Sequence, residues 1–107
     1  MTKRFIYGLV ASLCVINVPV ALAEAGALTG QQAAETCLGC HGIVGYFNVY
    51  PSYHVPKIGG QQAGYLAAAL KAYRDGSRKH DTMHANAASL TDDDIANIAA
   101  FFANQGH

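Results

Sequence analysis

Five consecutive residues, Cys37-Leu38-Gly39-Cys40-His41, gather two thiols and an imidazole into a very short stretch. If the segment is helical, positions 37, 40 and 41 are related as i, i+3 and i+4, so the three side chains share one side of the helix. Two cysteines at this spacing with histidine directly after them form the C-x-x-C-H signature of covalent haem attachment. Each thiol can add across a haem vinyl group to give a thioether, and the His41 imidazole is then placed to bind the iron from one side. Gly42 follows at once, where such a helix must stop. Paired cysteines also serve other chemistries. A thioredoxin-like redox centre needs a strand–helix setting, and a zinc site needs further ligands at short spacing. A colourless purified protein would favour one of these non-haem readings.

The elements that must hold this stretch come from a chain of 107 residues, which allows one domain. Its beginning reads as a secretory signal. Lys3 and Arg4 make a positive start, Phe5 to Val18 is mostly apolar, and Ala21-Leu22-Ala23 offers small residues for cleavage. Pro19 favours an extended chain just before that point. The expected division is a signal peptide over 1–23 and a single domain over 24–107. The competing reading keeps the leader as an anchor, because its apolar stretch is nearly long enough to span a bilayer. No later segment has the length or apolarity to cross one. Cys14 lies in the leader, so cleavage leaves only the two cysteines of the motif. An oxidising compartment would allow these to close a disulfide, but His41 would then have no role.

Loss of Lys3 and Arg4 leaves a slightly acidic chain, which argues against nucleic-acid binding by bulk charge. The remaining bases, Lys57, Lys71, Arg74, Arg78 and Lys79, all fall between positions 57 and 79. That asymmetry could steer docking of an acidic redox partner, although a solvated helix face is the better explanation of any one of them. A domain this small has difficulty stabilising itself by side-chain burial alone. A covalently held haem would add a large apolar plate for helices to pack on.

Thr29 with Gln32 three residues on forms a capping-box pattern and predicts a helix from about Gly30 to Cys40. Its inward face would carry Ala33, Ala34, Cys37 and Leu38. From Gly42 to Gly60 the chain is punctuated by Gly and Pro and crowded by Tyr46, Phe47, Tyr50 and Tyr53. This reads as an irregular loop against one side of the cofactor, with several rings on the porphyrin or a helix. A strand is possible near Phe47 to Tyr50, where Pro51 would cut it short. A helix beginning at Gln61 or Gln62 presents Leu66, Ala69, Leu70 and Tyr73 on one face and ends near Asp75, with Gly76 as its C-terminal stop. Ser77 to Leu90 reads as a further loop, containing Met83 between His80 and His84. Thr91 then caps a last helix. Asp92, Asp93 and Asp94 fall in its first turn, where negative charge offsets the helix dipole. Ile95, Ile98, Ala99 and Phe102 make its apolar face.

In order, Cys37-Leu38-Gly39-Cys40-His41-Gly42, Pro56-Lys57-Ile58-Gly59-Gly60-Gln61, Tyr65-Leu66, Gly76-Ser77-Arg78, Met83 and Leu90-Thr91-Asp92 resemble the class I c-type cytochromes. The likeness is greatest to the small bacterial single-haem type and to the halves of the dihaem type, and it covers about Thr29 to Asn104. It implies an all-α class I fold, three to four helices wrapped around one haem c attached through Cys37 and Cys40. It implies His41 as proximal iron ligand and a methionine of the later loop as distal ligand. Met83 is the one available, since Met1 leaves with the signal. His80 and His84 stand close enough to compete for the iron, while His54 and His107 read as surface residues. The resemblance also implies that the Pro56 carbonyl accepts a hydrogen bond from the proximal imidazole. Arg78, with Tyr65 and Tyr73, would meet the haem propionates.

The function so implied is a soluble periplasmic electron carrier rather than an enzyme, docking briefly with a reductase, terminal oxidase or flavoprotein subunit. A permanent haem subunit of a larger oxidoreductase, such as a sulfide-oxidising flavocytochrome, is the alternative. A sensor or enzyme with an open distal position is a third reading.

Overall fold

The computed structural model describes residues 29–106. The expected signal, its cut after Ala23 and the terminal His107 lie outside these residues. Four helices and a two-stranded antiparallel sheet make up the described chain: α1 (Gly30–His41), β1 (Phe47–Val49), β2 (Ser52–His54), α2 (Ala63–Asp75), α3 (Asp81–Ala87) and α4 (Asp92–Ala103).

Helix α1 starts where the capping pattern places it. The Thr29 amide and hydroxyl both donate to Gln32 Oε1, at 3.1 and 2.9 Å. It runs one residue beyond the expected end, so His41 sits in its last turn. Its buried face is alanine alone, Ala33 and Ala34. Small residues let it cross α4 at close range. A methyl group added at Gly30 would meet the Asn97 carbonyl oxygen at 2.9 Å and Phe101 Cβ at 3.2 Å.

Helix α2 begins at Ala63, a little later than the sequence suggests, and buries Leu66 and Leu70. Gly76 closes it in the left-handed region, φ 81°. The helix end leaves carbonyls without helical partners. The Arg78 amide takes that of Ala72 at 3.0 Å, and His84 Nδ1 donates to that of Tyr73 at 2.8 Å. Helix α4 buries Ile95, Ile98, Ala99 and Phe102. Its N-terminus is a full capping box. The Thr91 amide and hydroxyl donate to Asp94 Oδ2 at 3.0 and 2.7 Å, and the Asp94 amide donates back to Thr91 Oγ1 at 3.1 Å.

Two segments depart from the sequence reading. Ser77 to Leu90 is not wholly loop, because Asp81–Ala87 forms α3 around Met83. Two turns rich in Asp, Thr, His and Asn have weak intrinsic helicity. Tertiary contacts hold them, with Ala87 wholly buried beneath. Gly42 to Gly60 is likewise not wholly irregular. Pro51 does not end a lone strand; it sits in the turn of a hairpin in which Phe47 faces His54, Asn48 faces Tyr53 and Val49 faces Ser52. The Tyr50–Pro51 peptide is cis, and Asn48 Nδ2 donates to the Pro51 carbonyl at 2.7 Å.

Arg74 fastens the joint between α3 and α4. Its guanidinium donates to the Leu90 carbonyl at 2.9 Å and to Asp92 Oδ1 at 2.7 Å. Lys71 adds a looser contact to Asp92 at 3.9 Å. Two of the five clustered bases are thus locally paired. Arg74, and Lys71 after it, hold the Asp92 carboxyl below its usual range. The backbone and side-chain bonds of Thr91 do the same for Asp94.

Gly30→Ala should lower stability by about 1–3 kcal/mol through overpacking of the α1–α4 crossing. Gly64→Ala, where an added methyl meets nothing within 4 Å, should be neutral or stabilising by up to about 1 kcal/mol. Urea midpoints of the purified holoprotein check both. For the carboxylates, a folded pKa lying below the unfolded one stabilises the protein fully above the ordinary value of 3.8. That stability disappears as pH falls through the folded value. Asp92→Asn and Asp94→Asn should therefore lower the thermal midpoint at pH 6 and flatten its decline between about pH 4 and 2.

Candidate haem-binding site

The ten buried apolar residues among those described include four alanines. So thin an interior leaves a cavity of about 430 Å³ between the helices and the hairpin. Leu66, Leu70, Ile98 and Phe102 form apolar wall. Cys37, Cys40 and His41 of α1 border it, as do Pro56, Tyr53, Tyr65, Tyr73, Arg78, His80 and Met83. Fold and sequence motif therefore converge on one place. Cys37, Cys40, His41, Pro56, Arg78 and Met83, the ligands and contacts expected from the sequence, all line this cavity.

Helical spacing does for the motif what it promises. Cys37, Cys40 and His41 lie on α1 and open onto one space. Both thiols are free and half-buried. Burial pushes the Cys37 thiol up, more than its bond with Thr36 lowers it. His41 Nδ1 donates to the Pro56 carbonyl at 2.8 Å. With the proton on Nδ1, the Nε2 lone pair is left for a metal, and the ring is fixed from a second segment of chain.

The histidines near Met83 are engaged elsewhere. His80 Nδ1 accepts the Met83 amide at 3.3 Å and so caps α3. That bond places the ring proton on Nε2, which removes the lone pair a metal would need. His84 is exposed and spends Nδ1 on the Tyr73 carbonyl. Arg78 lies with its guanidinium carbon 4.8 Å above the Tyr73 ring. A bond to the Tyr65 hydroxyl, the main influence on it, pushes the Arg78 pKa up. An arginine and two phenols thus meet at one part of the rim.

Of the four rings in this segment, several of them expected on the porphyrin or a helix, Tyr53 alone lines the cavity. Tyr50 is 93% exposed and Phe47 53%, because the hairpin turns one face and its tip to solvent. His54 is a surface residue as expected, though it also reaches the cavity edge beside Phe47, with ring centroids 6.4 Å apart. Thr82 and Asn86 were missed from the sequence. Their positions one turn apart on α3 would have signalled them only if α3 had been recognised as helix.

The cytochrome c family model matches residues 27–105. The chain belongs to the cytochrome c family. It is 43% identical over 82 residues to cytochrome c-554(548) of Halomonas halodenitrificans, covering 74% of this chain and 95% of that one. Identity to a cytochrome c4 of Pseudomonas aeruginosa is 37% over 86 residues, covering 80% of this chain but 41% of the relative. The cytochrome subunit of sulfide dehydrogenase from Chlorobaculum tepidum is 33% identical over 75 residues, covering 70% of this chain and 64% of that subunit. The family's cofactor is haem c, attached covalently, and its work is electron transfer rather than turnover of a substrate. The mostly helical architecture agrees with the class I fold; the two-stranded hairpin is an addition to the all-α reading. The donor set fits this cofactor: two thiols and an imidazole on one helix, a thioether on another, apolar walls, and one cationic rim.

Proposed function

We propose that the chain is an exported single-haem electron carrier, anchored through Cys37 and Cys40 and ligated by His41 and Met83. The observation that carries this reading is the hydrogen bond from His41 to Pro56 on the cavity's edge. It holds the imidazole in the tautomer that offers Nε2 and makes the ring a stronger donor. When bound, haem iron gains and loses one electron. The chain's own residues supply the rest. Cys37 and Cys40 fix the porphyrin edge covalently, so the cofactor is not lost between partners. Met83 supplies a soft sulfur donor that favours the ferrous state and raises the potential. Leu66, Leu70, Ile98 and Phe102 keep water from the iron. Arg78, with Tyr65 and Tyr73, is suited to the propionates as a cation held by two phenols. The His80 ring, whose Nδ1 accepts the Met83 amide, and the exposure of His84, which lies outside the cavity lining, support Met83 over either as the distal ligand.

Export to the periplasm is supported by the charged, apolar and small-residue segments before Glu24. No helix among the described residues is long and apolar enough to cross a membrane. The partners are redox proteins that meet the carrier briefly. A permanent place in an oxidoreductase complex is the second reading, favoured by the likeness to a sulfide dehydrogenase subunit. A stoichiometric companion that survives purification from the native host would decide for it.

The absorption spectrum tests the ligand assignment. The ferric holoprotein should show the weak far-red band of sulfur ligation, and Met83→Ala should lose it, bind carbon monoxide when reduced, and fall in midpoint potential. Survival of the band in Met83→Ala would rule Met83 out.

A further inference from the structure

Met83 is carried by a seven-residue helix, and two turns of helix do not hold their shape unaided. The position of its sulfur must therefore be imposed from outside. One tyrosine of the hairpin reaches two residues just ahead of Met83. Tyr53 donates from its hydroxyl to Thr82 Oγ1 at 3.2 Å, on the residue just before Met83. The same ring packs edge-on against His80, with centroids 4.8 Å apart and planes at 76°. His80 in turn accepts the Met83 amide. Two routes from one side chain thus end on adjacent residues, Thr82 and Met83, of the same short segment.

The hairpin gives Tyr53 a firm base. It pairs with Asn48 across the ladder, and the Val55 amide extends the pairing to the Tyr46 carbonyl at 3.0 Å. Neither Phe47, Val49 nor Tyr50 contributes core, since all three are largely exposed. Within β2, Tyr53 is the one residue turned partly inward.

We propose that Tyr53, through Thr82 and the His80 ring, is a positioning residue for Met83. It sets how readily the thioether yields to an outside ligand. The proposal rests on Met83 being the distal ligand, and goes beyond that reading in assigning the hairpin a role at the iron. Among the described residues no backbone hydrogen bond joins the hairpin to α3, so disturbing the side-chain contact loosens Met83 without unfolding the helices.

Imidazole titration of the ferric holoprotein, followed by loss of the far-red band, reads this directly. Tyr53→Phe keeps the ring against His80 and deletes the hydroxyl; Thr82→Val deletes the acceptor. Each should tighten apparent imidazole binding roughly three- to tenfold, the scale of one lost hydrogen bond. The double variant should do no more than either alone, because both remove the same bond. Tyr53→Leu should have a larger effect. His80→Ala should tighten binding too, and His80→Asn should return it toward wild type, since asparagine keeps an N-cap acceptor. Thr91→Ala, which weakens a helix away from Met83, should stay within about twofold and so separates positioning from general loss of stability. Wild-type imidazole affinity in both Tyr53→Phe and Thr82→Val would overturn the proposal, as would an equal shift in Thr91→Ala. Failure of the underlying ligand reading shows differently, as a far-red band that persists in Met83→Ala.

Discussion

Apolar burial in this chain is short of what its helices require. Four of the ten buried apolar residues are alanines, each bringing little surface out of water. Leu66, Leu70, Ile98 and Phe102 present their remaining apolar surface to a cavity of about 430 Å³. Covering such walls is favourable by roughly 25 cal/mol for each Å² removed from water. A flat apolar cofactor, fixed covalently between α1 and the rest, meets that need in one piece. The fold and the redox chemistry therefore share a cause. The walls that require a plate are also the walls that exclude water from its centre.

The described elements divide the work of holding that plate. Helix α1 carries the attachment motif and depends on alanine and glycine to cross α4 closely. The segment after the hairpin contributes the Pro56 carbonyl, which fixes His41. The segment carrying Met83 is pinned at its start by His80 and Tyr53 and, beyond its end, by Arg74 at the Leu90 carbonyl. An electron carrier benefits from a frame with few alternative arrangements, because atoms that do not move on oxidation add no reorganisation cost. The contacts around Met83 are side-chain bonds and ring packing rather than one continuous helix, so they can be tuned one residue at a time.

Much of the site was legible before any fold was known. Cys37, Cys40 and His41 carry their chemistry in their spacing, and the inward faces of α2 and α4 follow from helical periodicity: Leu66, Leu70, Ile95, Ile98, Ala99 and Phe102 are all buried. The four aromatic residues between Gly42 and Gly60 misled in part. Aromatic content signals burial on average, but a hairpin alternates its faces, and only Tyr53 lines the cavity. Helix α3 was hidden because Asp81-Thr82-Met83-His84-Ala85-Asn86-Ala87 is only two turns long, mixes Ala and Met with the weak formers Asp, Thr, His and Asn, and lacks a conventional cap. Its capping acceptor is the His80 ring.

The sequence by itself determined the cofactor chemistry, the family and the faces of the long helices, because these depend on residue types at short, regular separations. Tertiary structure alone decided which histidine nitrogens remain available, which ring reaches the cavity and what holds Met83 in place. Those depend on partners 11 to 29 residues apart, as in His84 with Tyr73, His41 with Pro56 and Tyr53 with Thr82. Local spacing cannot encode such distances; they exist only once the helices have packed and the hairpin has folded back toward α3.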